Sequence, residues 1–131
     1  MKDIATKSTT QYILDKYDLY PKKKYGQNFL IDPHVVEKIV RCSSVNEKCA
    51  VIEVGPGIGA LTEALALKAK KILAYEIDQR LLPVLKETLA PYKNVIVLNQ
   101  DVLKSNLPED FKTYFSDDVS RNSPRFSKDY V

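Results

Sequence analysis

The sequence holds only two cysteines, one histidine and four glycines in 131 residues, and each scarcity removes a class of chemistry. Cys42 and Cys49 lie seven apart with no histidine cluster near them, a spacing that fits neither a zinc site nor a redox pair. They are read as reduced thiols, and no metal is expected. His34, the single histidine, falls in a helical pattern, where an exposed helix position explains it better than proton transfer. Nowhere do eighteen apolar residues run together, and the opening "MKDIATKSTTQYIL" has early acids and no apolar core of signal-peptide length. A soluble, cytoplasmic protein with no membrane partner is the expectation. Charge of one sign is also scarce: 20 Lys and Arg against 17 Asp and Glu leave +3, far from the density of a dedicated nucleic-acid tail.

The charge is nevertheless uneven. Residues 1–26 carry six lysines against three aspartates, with Lys22, Lys23 and Lys24 in a row, which makes a surface for phosphates or a solvated run beside a turn. The chain is one domain's worth. Ile13 and Tyr17, four apart, predict a short amphipathic helix over 9–18 in an N-terminal arm; "YPKKKYGQNFLID" then reads as irregular chain. Asp32 before Pro33 is a helix cap followed by the residue best suited to the first helical position, and Val35, Val36, Ile39 and Val40 supply the buried stripe of a helix over 33–42.

Three short runs rich in Val and Ile follow, at 50–54, 71–77 and 95–99, separated by segments with leucines at helical spacing: Leu61 and Leu65, then Leu81, Leu82, Leu85 and Leu89. Strands alternating with helices of this length predict an α/β protein with a parallel sheet, half of a Rossmann-like fold, in the order 3-2-1. A further helix is expected at 108–115. Residues 116–131, polar and broken by Pro124, are expected to form a disordered tail.

The first strand ends in Gly55-Pro56-Gly57-Ile58-Gly59 and a helix opens near Ala60, so the backbone can approach a ligand where a Cβ would collide. Read as Gly55-x-Gly57-x-x-Ala60 the loop satisfies a dinucleotide fingerprint; read as Glu53-x-Gly55-x-Gly57-x-Gly59 it looks like the first motif of S-adenosylmethionine-dependent methyltransferases. The loop alone does not choose between them. Glu76, twenty-one residues after Gly55, stands where a carboxylate takes the two hydroxyls of an adenosine ribose, with Asp78 as its rival. Asp101, just past the third strand, is placed to accept from an adenine amine with Val102 on the ring; Asn99 and Gln100 are alternatives, and helix capping is the plainer role for Asp101.

Together "KKKYGQNFLID", "EVGPGIGALT", "YEID" and "NQDVLK", in that order, resemble the ribosomal RNA adenine dimethyltransferase family over about residues 1–115. "GQNFL" and the uncharged glycine loop are more similar to the bacterial small-subunit enzymes acting on 16S rRNA than to the resistance enzymes of 23S rRNA; Tyr25 departs from a frequent leucine. The resemblance implies S-adenosylmethionine as cofactor, with Asn28 and Leu30 closing over its methionine part and Gly55 and Gly57 lining the amino-acid moiety. Glu76 would hold the ribose, Ile77 would pack on the adenine, and Asp101 would take the adenine amine, flanked by Val102. Ribosomal RNA or the small ribosomal subunit is the implied partner, met by Lys22, Lys23 and Lys24, and a monomer is expected.

The family's target-base motif is an Asn, an apolar residue, a Pro and an aromatic. "NLPED" at 106–110 departs from it, because Glu109 replaces the aromatic and no strand precedes it. Leu107-Pro108-Glu109 is read instead as the entry to a helix. No catalytic residue is assigned, and the expectation is a basic arm over 1–32, a partial cofactor domain over 33–115 truncated after the third strand, and a chain inactive alone. Two other readings stay open: an RNA-binding module that stacks bases on Tyr20 and Tyr25, with Arg121, Arg125 and Lys128 adding charge, and an NAD-binding fragment.

Overall fold

The computed structural model describes residues 3–29 and 31–115. Leu30 and the expected tail at 116–131, with Arg121, Arg125 and Lys128, lie outside the described residues. Helix α1 (Lys7–Lys16) is followed by a 3-10 turn at Lys23–Tyr25 and by α2 (Pro33–Ser43). Then strands and helices alternate: β1 (Ala50–Val54), α3 (Ala60–Ala66), β2 (Lys71–Tyr75), α4 (Leu82–Thr88), β3 (Val95–Leu98) and α5 (Leu107–Phe115).

The sheet is parallel with β2 in the middle, pairing Ile52 with Leu73 and Leu73 with Ile96. Among the described residues β1 pairs with β2 alone. All three strands therefore point their C-terminal ends the same way, the arrangement that gathers loops from separate stretches of sequence at one edge of the sheet.

Alternation along the strands sorts the core onto two faces. Val51 and Ile72 meet Val40 of α2 and Leu65 and Ala66 of α3 on one face. Ala50, Ile52, Leu73 and Tyr75 meet Phe111 and Phe115 of α5 on the other, the two rings edge to face at 4.8 Å. At α5 the chain uses Asn106 as a cap: its Oδ1 accepts the Glu109 N–H at 3.2 Å, so Leu107 and Pro108 form the helix's first turn.

Element ends differ from the sequence expectation by one to two residues, for local reasons. Helix α1 starts at Lys7, because Thr6 Oγ1 accepts the Thr9 N–H, and stops at Lys16, because Asp18 takes φ +50° and Leu19 N–H donates back to the Leu14 carbonyl at 2.9 Å. Strand β2 ends at Tyr75, two residues short of Ile77. Once β3 finishes at Leu98, the Asn99 side-chain amide replaces a strand partner and donates to the Glu76 carbonyl at 2.8 Å.

The N-terminal segment is tied into the body. Ile4 and Ile13 have no exposed surface and pack with Phe29, Ile58, Leu81, Val84, Leu85 and Leu89. Buried Glu63 of α3 accepts the Ile4 N–H at 2.9 Å with one oxygen and the Tyr92 hydroxyl with the other, and burial together with that carboxylate pushes the Tyr92 hydroxyl up to about 12. Lys16 pairs with Glu87 of α4, which also accepts the Tyr17 hydroxyl at 3.0 Å.

Candidate functional site

The C-terminal ends of the strands and the segment before α2 surround a cavity of about 250 Å³. Seven of the eight residues assigned to the cofactor from the sequence line it: Asn28, Gly55, Gly57, Glu76, Ile77, Asp101 and Val102. They come from four separate stretches of chain, and the parallel order brings them together. A second cavity of about 410 Å³ adjoins it, sharing Asn28, Phe29, Val54, Gly55 and Gly57 and reaching under the glycine loop to Glu53.

The three loop glycines divide their work. All have positive φ, at +69°, +62° and +97° for Gly55, Gly57 and Gly59. A Cβ on Gly55 would meet nothing within 4 Å, so the backbone there is open to a ligand. A Cβ on Gly59 would lie 3.0 Å from Thr88 Oγ1 and 3.1 Å from Leu89 Cδ2, so this third glycine serves the packing of α3 on α4.

Glu76 sits at the turn out of β2 and is buried. Its Oε1 accepts the Gly57 N–H at 3.1 Å and its Oε2 the Asp78 N–H at 2.9 Å. Burial raises this carboxyl above its ordinary value, while the N–H groups of Asp78 and Gly57 pull it back. Two carboxylate oxygens offer about four lone-pair positions, so both remain able to accept from a vicinal diol. Beside it Ile77 leaves an apolar side chain 46% exposed, a plate on which a flat ring can lie.

Asp101 does have the capping role weighed against it: its Oδ1 accepts the Leu103 N–H at 3.0 Å and starts the 3-10 turn Val102–Lys104. One such bond leaves acceptor capacity for an amine. Of its alternatives, Asn99 does not line the cavity and donates through Nδ2 to the Glu76 carbonyl, and Gln100 lines the cavity while accepting the Ser105 hydroxyl at 3.2 Å.

Asp78, the rival to Glu76, does not line the cavity. It forms an ion pair with Arg80, 2.6 Å from Nη2 to Oδ2, which together with burial and the Gln27 amide sets its titration: Arg80 chiefly holds the carboxyl down to about 2. Gln27 and Arg80 had no role assigned from sequence. Gln27 belongs to the "GQNFL" motif, but its side-chain partners Asp78 and Arg80 are 51 and 53 positions away, beyond any local pattern.

Glu53 is a further buried acid, under the glycine loop. Its carboxyl accepts the Thr62 hydroxyl, and burial pushes it up to about 7 against that hydrogen bond, with the Glu76 charge adding to the rise. Of the lysine run, Lys23 and Lys24 are exposed, and Lys24 Nζ sits 4.9 Å from the centre of the Tyr25 ring, which lines the cavity mouth. Leu30 lies outside the described residues. Among the described residues no group of three or more His, Cys, Asp or Glu is placed to hold a metal, and no helix is long and apolar enough to cross a membrane.

A parallel sheet whose strand ends carry a glycine loop, a buried acid and a second acid around one cavity defines a nucleotide-binding α/β protein of the Rossmann-like class. Solved structures narrow the class to methyltransferases. The crystal structure of the 23S rRNA methyltransferase ErmE is similar with a TM-score of 0.57 and 38% identity, over 60% of this chain and 32% of that one. A dimethyladenosine transferase from Plasmodium falciparum is similar with a TM-score of 0.54 and 30% identity, over 57% of this chain and 28% of that one. The sequence model for "Ribosomal RNA adenine dimethylase" matches residues 19–127, and the chain belongs to that family. Ribosomal RNA small subunit methyltransferase A of Staphylococcus haemolyticus (strain JCSC1435) is 53% identical over 116 residues, 88% of this chain and 39% of that protein. The protein of the same name from Bacillus cytotoxicus is 56% identical over 117 residues, 89% of this chain and 40% of that protein. The chain thus spans about two fifths of the length of these relatives.

Proposed function

We propose that this chain carries the methyl-donor site of a ribosomal RNA adenine N6,N6-dimethyltransferase and binds S-adenosylmethionine in the cavity at the strand ends. The observation that carries the reading is the convergence of Gly55, Gly57, Glu76, Ile77 and Asp101 on one cavity in a chain of this family. Glu76 holds the ribose hydroxyls, Ile77 and Val102 pack on the adenine, and Asp101 accepts its amine. Gly55 and Gly57 leave room for the amino-acid end, and Asn28 closes over it, with Leu30 beside it in sequence. When bound, the cofactor supplies an electrophilic methyl group.

Accepting that methyl requires an adenine taken out of its stack and its amine held in line with the departing sulfur. Asn106, the start of the sequence nearest to the family's target-base motif, has its side-chain oxygen committed to the cap of α5. We therefore place the target-base site outside residues 3–115 and expect this chain alone not to dimethylate RNA. Lys22, Lys23 and Lys24, beside Tyr25 at the cavity mouth, give the RNA backbone a cationic rim. The chain is read as a cytoplasmic monomer that acts without a metal.

Thermal unfolding tests the cofactor assignment, since a ligand that binds only the folded chain raises its midpoint. S-adenosylmethionine raises it progressively with the logarithm of its concentration and NAD does not. An equal rise with NAD overturns the reading in favour of a dinucleotide site.

A further inference from the structure

The geometry points to a latch: Asp78 and Arg80, in the turn that follows β2, hold Gln27, and so fix the Gly26–Phe29 segment over the cavity as positioning residues for the methyl donor. The inference rests on the proposed donor site and adds to it the device that keeps one wall in place. Asp78 is 2% exposed, and donors surround both of its oxygens. Oδ1 accepts the Arg80 N–H at 3.0 Å and Arg80 Nε at 3.1 Å; Oδ2 accepts Arg80 Nη2 at 2.6 Å and the Gln27 amide at 2.7 Å. No acceptor capacity is left for a ribose, which separates Asp78 from Glu76 two residues earlier.

Gln27 is used at both ends. Its Nε2 donates to Asp78, while its Oε1 accepts Arg80 Nη2 at 3.1 Å and the Lys22 N–H at 2.9 Å. Arg80 reaches further along the same segment, donating through Nη1 to the Tyr20 carbonyl at 3.3 Å and lying 5.2 Å from the centre of the Tyr20 ring. One guanidinium thus grips Tyr20, Gln27 and Asp78 together.

The grip adds polar anchors to a segment that buries little of its own surface. Tyr20, Lys23, Lys24, Gly26 and Asn28 are exposed, and irregular chain with few buried apolar contacts is the part of a fold that opens most easily. Its apolar anchor is Phe29, 4% exposed in the core beside Ile58 and Leu81. Asn28 lies between the polar anchor and the apolar one, lining both cavities. Charge-assisted, bidentate hydrogen bonds to a buried carboxylate are well suited to hold such a wall, and the low titration of Asp78 keeps the pair charged at ordinary pH.

The test uses the full chain, Gln27→Ala, Arg80→Ala and their double variant, titrated with S-adenosylmethionine and with 5′-methylthioadenosine, which lacks the amino-acid part. Gln27→Ala weakens S-adenosylmethionine by about tenfold or more, the worth of roughly one charge-assisted hydrogen bond. It weakens methylthioadenosine clearly less than S-adenosylmethionine, because Glu76, Ile77 and Asp101 belong to other stretches of chain and stay in the cavity when the Gly26–Phe29 segment is released. The double variant costs no more than the worse single one, as expected of residues acting through a shared contact. Equal loss of both ligands means a merely structural role and overturns the latch, as does unchanged binding by Gln27→Ala when the wild type binds. A folded wild-type chain that binds neither ligand overturns the donor site itself, and the latch with it.

Discussion

The Gly57 N–H donates to Glu76 Oε1 at 3.1 Å, so the loop after β1 is tied to the acid after β2 before any ligand arrives. The same carboxylate accepts the Asp78 N–H through its other oxygen. The carboxylate proposed to receive the ribose hydroxyls is thereby fixed in orientation, which lowers the ordering cost of binding.

Replacing Glu76 tests that arrangement. Glu76→Ala leaves the Gly57 and Asp78 N–H groups without their acceptor and removes the ribose contact, so affinity for S-adenosylmethionine falls by about 10- to 100-fold. Glu76→Gln keeps one oxygen for Gly57 and loses less. Calorimetric dissociation constants for the three chains rank them.

The glycines at 55 and 59 predict opposite phenotypes. Gly59→Ala forces a Cβ to 3.0 Å from Thr88 Oγ1 at a backbone φ of +97°, and lowers stability by about 1–3 kcal/mol. Gly55→Ala meets no protein atom within 4 Å, so its stability cost is confined to the backbone, about 1–2 kcal/mol, while its methyl group opposes the ligand. Denaturant unfolding and ligand titration of both variants separate the two roles.

Glu53 sets a pH dependence. Its folded carboxyl titrates at about 7 against an ordinary 4.5, so the fold prefers the protonated form. The associated stability is complete below about pH 4.5 and is lost as pH rises through 7, up to about 3 kcal/mol in all. Glu53→Gln, which cannot ionise, removes this slope, and comparing denaturation of the two chains at pH 5 and pH 8 measures it. The Asp78 carboxyl, held down to about 2, works in the opposite direction and only at much lower pH: its contribution is lost as pH falls below about 4 through 2.

Ile13→Ala reports whether α1 belongs to the core. The side chain has no exposed surface and sits among Phe29, Leu81 and Leu85, so its truncation lowers stability by about 2–5 kcal/mol. An exposed arm would show a change of no more than about 0.5 kcal/mol in the same unfolding measurement.

The lysine run is tested by salt. If Lys23 and Lys24 each neutralise one RNA phosphate, replacing both with alanine flattens the log–log salt dependence of RNA binding by about 1–2, with S-adenosylmethionine affinity unchanged. Filter binding of an adenine-containing hairpin at several salt concentrations measures the slope.

Much of this was legible in the sequence because the signals are local. Short Val and Ile runs alternating with leucines at helical spacing identify β1 to β3 and their intervening helices, and the parallel order follows from that alternation. Asp32 and Pro33 mark the start of α2, and the "NLPE" run marks the start of α5. Less legible were features made by distant partners. Glu63 in α3 holds the Ile4 N–H across 59 positions, and Gln27 reaches Asp78 across 51, which no periodicity encodes. Strand ends slipped for the same reason: β2 stops where β3 stops, and the Asn99 side chain takes over its hydrogen bonding. Gly59 looked like its two neighbours until Thr88 and Leu89 were seen against it.

The most direct test of the donor site is calorimetric titration of the wild-type chain with S-adenosylmethionine beside NAD. Saturable one-to-one binding of S-adenosylmethionine alone is the predicted result. Binding of NAD with equal affinity, or of neither by a chain that circular dichroism shows to be folded, would contradict it.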